Sequence, residues 1–174
     1  MVVLLGSATE VRAQARGSPV AIERPSSDPH WVQGQATVPA PPEVVWARLQ
    51  NVAEWPRLLS DVERLEVKEH RGSHWEIELE TRTLGHGELQ YHVDFETTPQ
   101  RRVRFWRSGS GVAAQAFLLV REGPTPQQSN VVYTLYLRLS GVPHLLISDE
   151  ALGKKQEHMI AVTLADLEHA FTTP

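Results

Sequence analysis

The stretch that decides the fold of this 174-residue chain is residues 38–58, which read VPAPPEVVWARLQNVAEWPRL. Proline suits the first turn of a helix, where its missing N–H would have no partner, so Pro41 and Pro42 predict a helix start. Glu43 then lies in the first turn, at the end of the helix dipole that favours acidic groups. Apolar side chains give this short helix one buried side: Val45, Trp46 and Leu49.

A second short helix is predicted directly after the first. Asn51 is a favourable N-cap residue, and Glu54 follows it at the spacing of a capping box. Pro56 lies where the chain must bend or restart, because proline disfavours helical geometry in the residue before it. Two short helices with a break between them therefore form a V-shaped element.

Strands are predicted on both sides of this element. Residues 31–38 alternate loosely between apolar and polar side chains, which predicts one strand before the helices. The alternation is strongest in residues 75–80, where Trp75, Ile77 and Leu79 are separated by glutamates. Similar patterns predict further strands at 62–68, 89–96, 103–105, 112–121 and 131–139. The short spacings between them indicate antiparallel hairpins.

After Pro143 the apolar residues recur with the period of a helix. The recurring positions predict one face of a helix of about six turns: Leu152, Gln156, Met159, Ile160, Thr163, Leu167, Ala170 and Phe171. Asp149 and Glu150 lie near its N-terminus, where acidic groups are favourable. The pattern therefore predicts an α+β fold, in which about seven antiparallel strands and two short helices precede one long C-terminal helix.

Residues 38–49 resemble the opening of the polyketide cyclase/dehydrase group, within the START and birch-pollen-allergen (SRPBCC) superfamily. Residues 51–58 are similar to the second short helix of that group, and 62–67 fit the strand that follows. The resemblance covers residues 31–171 in the order of its elements. It implies a helix-grip fold, in which a curved sheet wraps around the C-terminal helix and encloses a cavity. Because the superfamily includes carriers and enzymes, the resemblance alone assigns no function.

The concave face of the sheet supplies the candidate site. Its side chains either line a cavity for an apolar ligand or form a filled core. The candidate ligand-binding residues are Trp75, Leu79, Tyr91, Phe95, Phe105, Tyr133, Leu135, Leu137 and Met159. Tyr91 and Tyr133 are expected to place a hydroxyl in this space, where a ligand oxygen, water or the backbone would be its partner. The charged residues that alternate with this set should face outward: Glu76, Glu78, Glu80, Asp94, Glu96, Arg102 and Arg104.

The composition argues against several classes of protein and site. A formal net charge of −4 disfavours a nucleic-acid binder that neutralises phosphates. Cysteine is absent, which excludes disulfides and thiolate sites, and no apolar run is long enough for a transmembrane helix. The eight histidines include no pair at helical spacing with an intervening glutamate, so neither a metal site nor another cofactor is predicted. No serine has the setting of a nucleophile elbow, and no catalytic residue is predicted.

Residues 1–29 differ from the rest and are predicted to be a flexible segment before a domain at 30–174. Ala13-Gln14-Ala15 matches the pattern that signal peptidase cuts, although the apolar residues before it are too few for a signal-peptide core. The segment is therefore either the remnant of a signal peptide or a disordered tail, and the protein is correspondingly exported or cytoplasmic. The oligomeric state stays open.

The leading hypothesis for function is binding or transport of a hydrophobic small molecule, such as a lipid, a quinone or a polyketide, without catalysis. The alternative is a polyketide cyclase or dehydratase that uses the same cavity, for which the sequence offers no convincing ionisable group inside. A third hypothesis is an interaction module whose cavity is incidental. Entry of a ligand is expected to need movement at 85–87 or 108–111, or at the junction 141–143.

Overall fold

The computed structural model describes residues 20–25, 27–83, 85–97, 101–107, 112–139 and 147–172. The strands are β1 (Ala21–Glu23), β2 (Trp31–Val38), β3 (Val62–Arg71), β4 (His74–Thr81), β5 (Gly85–Glu96), β6 (Arg101–Arg107), β7 (Val112–Glu122) and β8 (Ser129–Leu139). The helices are α1 (Pro42–Gln50), α2 (Trp55–Leu58) and α3 (Asp149–Thr172), with a 3₁₀ turn at Val52–Glu54 between the first two.

The eight strands of the described residues belong to one curved antiparallel sheet, in the order β1-β2-β8-β7-β6-β5-β4-β3. Strands β3 to β8 follow one another as hairpins, whereas β2 pairs with the last strand, from Trp31 opposite Tyr136 to Val38 opposite Ser129. The long helix α3 crosses the concave face and packs chiefly on β2. The predicted α+β helix-grip fold is therefore confirmed, with both short helices after the strand that contains residues 31–38.

The sheet has one strand more than the sequence pattern indicates. The additional strand β1 lies within the segment that is predicted to be flexible, and it pairs with β2 from Ala21 opposite Gln35 to Glu23 opposite Gln33. Three residues are too few to show an alternation. Ala13–Ala15 and the expected entry points at 108–111 and 141–143 lie outside the described residues.

The capping box predicted at Asn51 is not formed. The Asn51 side chain donates from Nδ2 to Glu54 Oε1 at 2.8 Å and makes no capping hydrogen bond to the backbone. A different side chain bonds to the end of α1: the indole Nε1 of Trp55 donates to the buried carbonyl oxygen of Leu49 at 2.9 Å. This bond satisfies one of the free carbonyls at the end of α1 and fixes the angle between the two short helices.

The helix α3 approaches β2 closely at Gly34. A Cβ atom at this position would lie 2.4 Å from Ile160 Cγ2 and 3.2 Å from Leu164 Cδ1, so no larger residue fits without movement. Nearby, the buried Gln156 side chain donates to the carbonyl oxygen of His30 at 2.8 Å. This hydrogen bond satisfies a polar group under the helix and fixes α3 along the sheet.

An aromatic cluster fills the concave face beneath α1 and α2. Trp46 meets Phe95 edge to face, with 5.8 Å between the ring centroids, and Trp55 packs against Phe105 at 5.3 Å. Trp46, Trp55 and Phe95 are all buried. This end of the sheet is therefore a packed core.

The convex face carries the charged side chains, as the alternation predicts. Lys68 Nζ lies 2.8 Å from Glu78 Oε2, and Arg102 pairs with Glu96. Such cross-strand pairs stabilise a solvated sheet face modestly. Among the described helices, none has the length and apolar character needed to cross a membrane.

Candidate ligand-binding cavity

A cavity of about 90 Å³ lies between the concave face of the sheet and α3. Strands β4 to β8 form its floor, and Met159 and Thr163 of α3 cover it. Trp55 and Leu59 close the side nearest the short helices. The lining is mainly apolar, so transfer of an apolar group from water into this space is favourable.

Most of the candidate binding residues line this cavity: Leu79, Tyr91, Phe105, Tyr133, Leu135, Leu137 and Met159. Two candidates on the same face lie elsewhere. Phe95 belongs to the packed cluster with Trp46 and Trp55, and Trp75 stacks on His70 with 3.6 Å between ring centroids. The alternation along a strand predicts which face of the sheet a side chain lies on, but it does not predict which end of that face borders a cavity.

Two alanines explain why the space lies at this end. Ala114 and Ala116 are successive inward residues of β7, opposite Leu137 and Leu135 of β8. Further along the same strand the larger Leu118 and Val120 occupy the inward positions, where Leu118 borders the cavity and Val120 lies beyond it. Small side chains in a row leave volume between sheet and helix that larger ones would fill. This change in size along β7 is the sequence signal for the position of the cavity.

Asp61 is an ionisable residue in the lining that no sequence pattern indicates. Its Oδ1 accepts hydrogen bonds from the backbone N–H and the hydroxyl of Thr83, at 2.9 and 2.7 Å. These bonds hold the loop after α2 against the end of β4. Because Asp61 lies in a loop, periodicity could not place it beside the cavity.

Tyr91 and Tyr133 present the polar part of the cavity. Within the part of the chain that the structure describes, no hydrogen bond engages either hydroxyl. Burial raises the pKa of Tyr133, and the neighbouring Tyr91 and Asp61 raise it further. Burial also raises the pKa of Tyr91, an effect that Arg107 partly offsets. Both hydroxyls are therefore protonated at neutral pH and available as hydrogen-bond donors.

Hydrogen bonds between distant segments join the elements beside the cavity. Asp166 Oδ2 accepts from the backbone N–H and the hydroxyl of Ser60, at 2.7 and 2.8 Å. Lys155 Nζ donates to the carbonyl oxygen of Thr83 at 3.1 Å. The helix α3 is thereby connected to the loop after α2 and to the end of β4, and all of these bonds are exposed.

Comparison with known families agrees with this architecture. Residues 29–172 match the family described as polyketide cyclase/dehydrase and lipid transport. The chain belongs to this family. No curated protein matches the sequence significantly.

Solved structures similar to this polyketide cyclase/dehydrase family member show the same fold. The Zhui aromatase/cyclase from Streptomyces sp. R1128 superimposes with a TM-score of 0.71 at 15% identity, over 82% of this chain and 93% of that one. The human StarD13 lipid transfer and protein localization domain superimposes with a TM-score of 0.70 at 15% identity, over 94% of this chain and 88% of that one. A protein from Thermus thermophilus superimposes with a TM-score of 0.70 at 20% identity, over 82% of this chain and 97% of that one. At these identities the likeness shows the helix-grip fold alone.

The raised pKa values of Tyr91 and Tyr133 predict how the stability of this family member depends on alkaline pH. Unfolded tyrosines lose their protons near pH 10, whereas the raised pKa values keep Tyr91 and Tyr133 protonated in the folded state. Their contribution to stability is complete below about pH 10 and is lost as the pH rises from there towards the folded-state values. We expect the free energy of unfolding, measured in urea, to fall between about pH 9 and 11, and to fall less steeply in Tyr133→Phe. Identical slopes for both proteins would contradict the burial of this hydroxyl.

Proposed function

We propose that this protein binds and carries a neutral hydrophobic small molecule, of the lipid, quinone or polyketide type, in the cavity between the sheet and α3. The observation that supports this function best is the apolar cavity with two protonated tyrosine hydroxyls in its lining. Desolvation of the ligand provides most of the affinity, at roughly 25 cal/mol per Å² of apolar surface removed from water.

The size of the cavity indicates that binding requires some expansion. Its volume of about 90 Å³ is smaller than the ~150 Å³ of an engineered cavity that holds benzene. Met159 lies in the cover, and a flexible thioether side chain adapts readily to a ligand. Leu59 is in the loop after α2 and is only partly buried, so it can move without opening the packed core.

The polar groups favour a neutral ligand that bears an oxygen atom. A carbonyl or ether oxygen would accept a hydrogen bond from Tyr91 or Tyr133, which orients the molecule in the cavity. An anionic ligand would meet the carboxylate of Asp61, whose charge already contributes to raising the pKa of both tyrosines. Repulsion between like charges in a poorly solvated site disfavours such a ligand.

A polyketide cyclase or dehydratase is the second candidate function. Asp61 supports it, because this carboxylate is an ionisable group that lines the cavity near both tyrosines. A carboxylate and two phenols are sufficient for proton transfer to and from an enolisable chain. In this case binding would be followed by a change in the ligand.

Probe binding tests the cavity directly. We expect the apolar dye N-phenyl-1-naphthylamine to fluoresce on binding and to be displaced by a long-chain alcohol or a quinone. Leu135→Trp fills part of the cavity and should weaken binding at least tenfold, a loss of about 1.4 kcal/mol. Val44→Trp is the matched control, because Val44 is 47% exposed on α1. If the wild-type protein binds no dye, both candidate functions are wrong.

Tyr133→Phe distinguishes the two candidates because it removes a hydroxyl and little volume. A carrier should lose about tenfold in affinity at most, the value of one hydrogen bond. A cyclase that uses this hydroxyl should keep its affinity and lose about a hundredfold in rate on a polyketide-like substrate. A wild-type protein that returns every ligand chemically unchanged would be a carrier.

A further inference from the structure

Four residues that can contact a metal form a square on the convex face, on the opposite side of the sheet from the cavity. His74 and Glu76 lie two residues apart on β4, so both point to the same side. The register places His92 of β5 opposite Glu76 and Asp94 opposite His74. Two imidazoles and two carboxylates therefore alternate around the square.

The distances within this His74–Asp94 square show that its side chains converge. One nitrogen of each histidine and one carboxylate oxygen of Glu76 all lie within 4.8 Å of one another. His74 Nδ1 is 2.7 Å from Asp94 Oδ1, a hydrogen bond, whereas His92 Nδ1 is 3.6 Å from Glu76 Oε1. The Nδ1 atom of His92 is inaccessible to solvent and has no hydrogen-bond partner among the described residues.

A network of ordinary ion pairs accounts for only part of this arrangement. It explains His74 and Asp94, but it leaves His92 Nδ1 without a hydrogen bond beside a carboxylate. The Trp106 ring stacks against His92 with 5.1 Å between centroids and restricts the movement of that imidazole. Arg104, whose cation could compete for the carboxylates, lies over the Trp106 ring at 4.8 Å instead.

The donor set is that of a transition-metal site. Neutral imidazole and carboxylate bind Zn²⁺ and Cu²⁺ well, and a site with two histidines and one glutamate leaves a position for water. An ionised carboxylate can only accept a hydrogen bond, so Asp94 places the proton of His74 on Nδ1. The Nε2 atom of that ring is then free to bind a metal. A carboxylate commonly supports a metal-binding histidine in this way.

Modest side-chain rotation would complete the site. Tetrahedral zinc with bonds of about 2.0–2.1 Å requires ligand atoms about 3.4 Å apart, so atoms within 4.8 Å must close by about 1.4 Å at most. The side chains of His74, Glu76 and His92 are 34%, 43% and 39% exposed. His74 and Glu76 can therefore rotate towards the stacked His92 ring without disturbing the core, and solvent reaches these two side chains.

We propose that His74, Glu76 and His92 bind a divalent transition-metal ion such as Zn²⁺ or Cu²⁺, with Asp94 as the residue that positions His74. The sequence predicts no metal site, because its histidine pairs lack helical spacing. The relevant pattern is His-x-Glu on one strand opposite His-x-Asp on the next, and only the register of the hairpin brings the two together.

Calorimetric titration of the untagged full chain with zinc chloride tests the site. We expect one ion per chain, at least a tenfold loss of affinity in His92→Gln and in Glu76→Gln, and about a tenfold loss in Asp94→Asn. His158→Gln is the matched control, because His158 is an exposed histidine on α3 and should not affect binding. Magnesium chloride should give no heat of binding, since Mg²⁺ prefers oxygen ligands.

Tryptophan fluorescence with Cu²⁺ provides a second measurement, which reports where on the protein the ion is bound. Cu²⁺ quenches nearby tryptophans, so bound copper should reduce the emission of Trp106, and Trp106→Phe should lose that component while it keeps the affinity. The proposal is overturned if neither Zn²⁺ nor Cu²⁺ binds. It is equally overturned if His92→Gln binds both ions as tightly as the wild type, which would place them at other histidines.

Discussion

Trp55→Ala is expected to lower the free energy of unfolding by about 3–5 kcal/mol, the usual cost of truncating a buried tryptophan. Only 2% of this residue is exposed, and its ring packs against Phe95 and Phe105 at centroid distances of 6.3 and 5.3 Å. The substitution also leaves the buried carbonyl of Leu49 without the indole N–H. Urea unfolding followed by circular dichroism measures the loss.

A matched pair of phenylalanine variants separates the hydrogen bond from the packing. Both Trp46 and Trp55 are buried, but the Nε1 atom of Trp46 has no partner among the described residues. Trp46→Phe therefore loses packing alone, whereas Trp55→Phe also leaves an unsatisfied carbonyl, at a cost of about 1–3 kcal/mol. Equal destabilisation by the two variants would show that the bond to Leu49 does not stabilise the break between the short helices.

Gly34→Ala is expected to destabilise the protein by about 1–3 kcal/mol, as overpacking of a core usually does. In a strand this substitution would otherwise be favourable, because glycine loses more backbone entropy on folding than alanine. Here the new methyl group would lie 2.4 Å from Ile160 Cγ2, in the middle of α3. A β-branched side chain in a helix has one strongly preferred rotamer, so the helix itself must move. A lower free energy of unfolding in Gly34→Ala would therefore support the close contact between Gly34 and Ile160, and a higher one would contradict it.

Ile160→Leu should partly rescue Gly34→Ala, because leucine has no methyl group at the position of Cγ2. A double-mutant cycle measures this coupling, which should be favourable in the double variant. Thermal unfolding of the four proteins is sufficient for the comparison. A Gly34→Ala protein as stable as the wild type would contradict the close approach of α3 to β2.

The fold could be predicted from sequence because its signals are local. The alternation in residues 75–80 and the helical period from Leu152 to Phe171 each follow from one buried face. The prolines at 41, 42 and 56 mark the short helices in the same way. The capping box predicted at Asn51 was wrong, because the Asn51 side chain donates to the side chain of Glu54 and accepts no backbone N–H of the second helix.

The position of the cavity and the polar groups around it could not be predicted in the same way. Phe95 and Phe105 have equivalent patterns, yet Phe95 is in the packed core and Phe105 in the lining, because Ala116 lies opposite Phe105. Asp61 contributes from a loop, and the His74–Asp94 square depends on pairing between strands. Such features follow from tertiary packing and register, which a period along one segment does not contain.

The exposed hydrogen bonds beside the cavity have a consequence for the kinetics of exchange. Each of the bonds from Ser60 and Lys155 contributes about 0.5–1.5 kcal/mol, so breaking all three costs about 3 kcal/mol. This is less than the roughly 5–15 kcal/mol that holds a domain folded. These bonds can therefore break in a local opening while the sheet and the packed part of α3 stay intact. The residence time of a ligand would be set by this local opening and by its own contacts, and stabilising the core would not lengthen it.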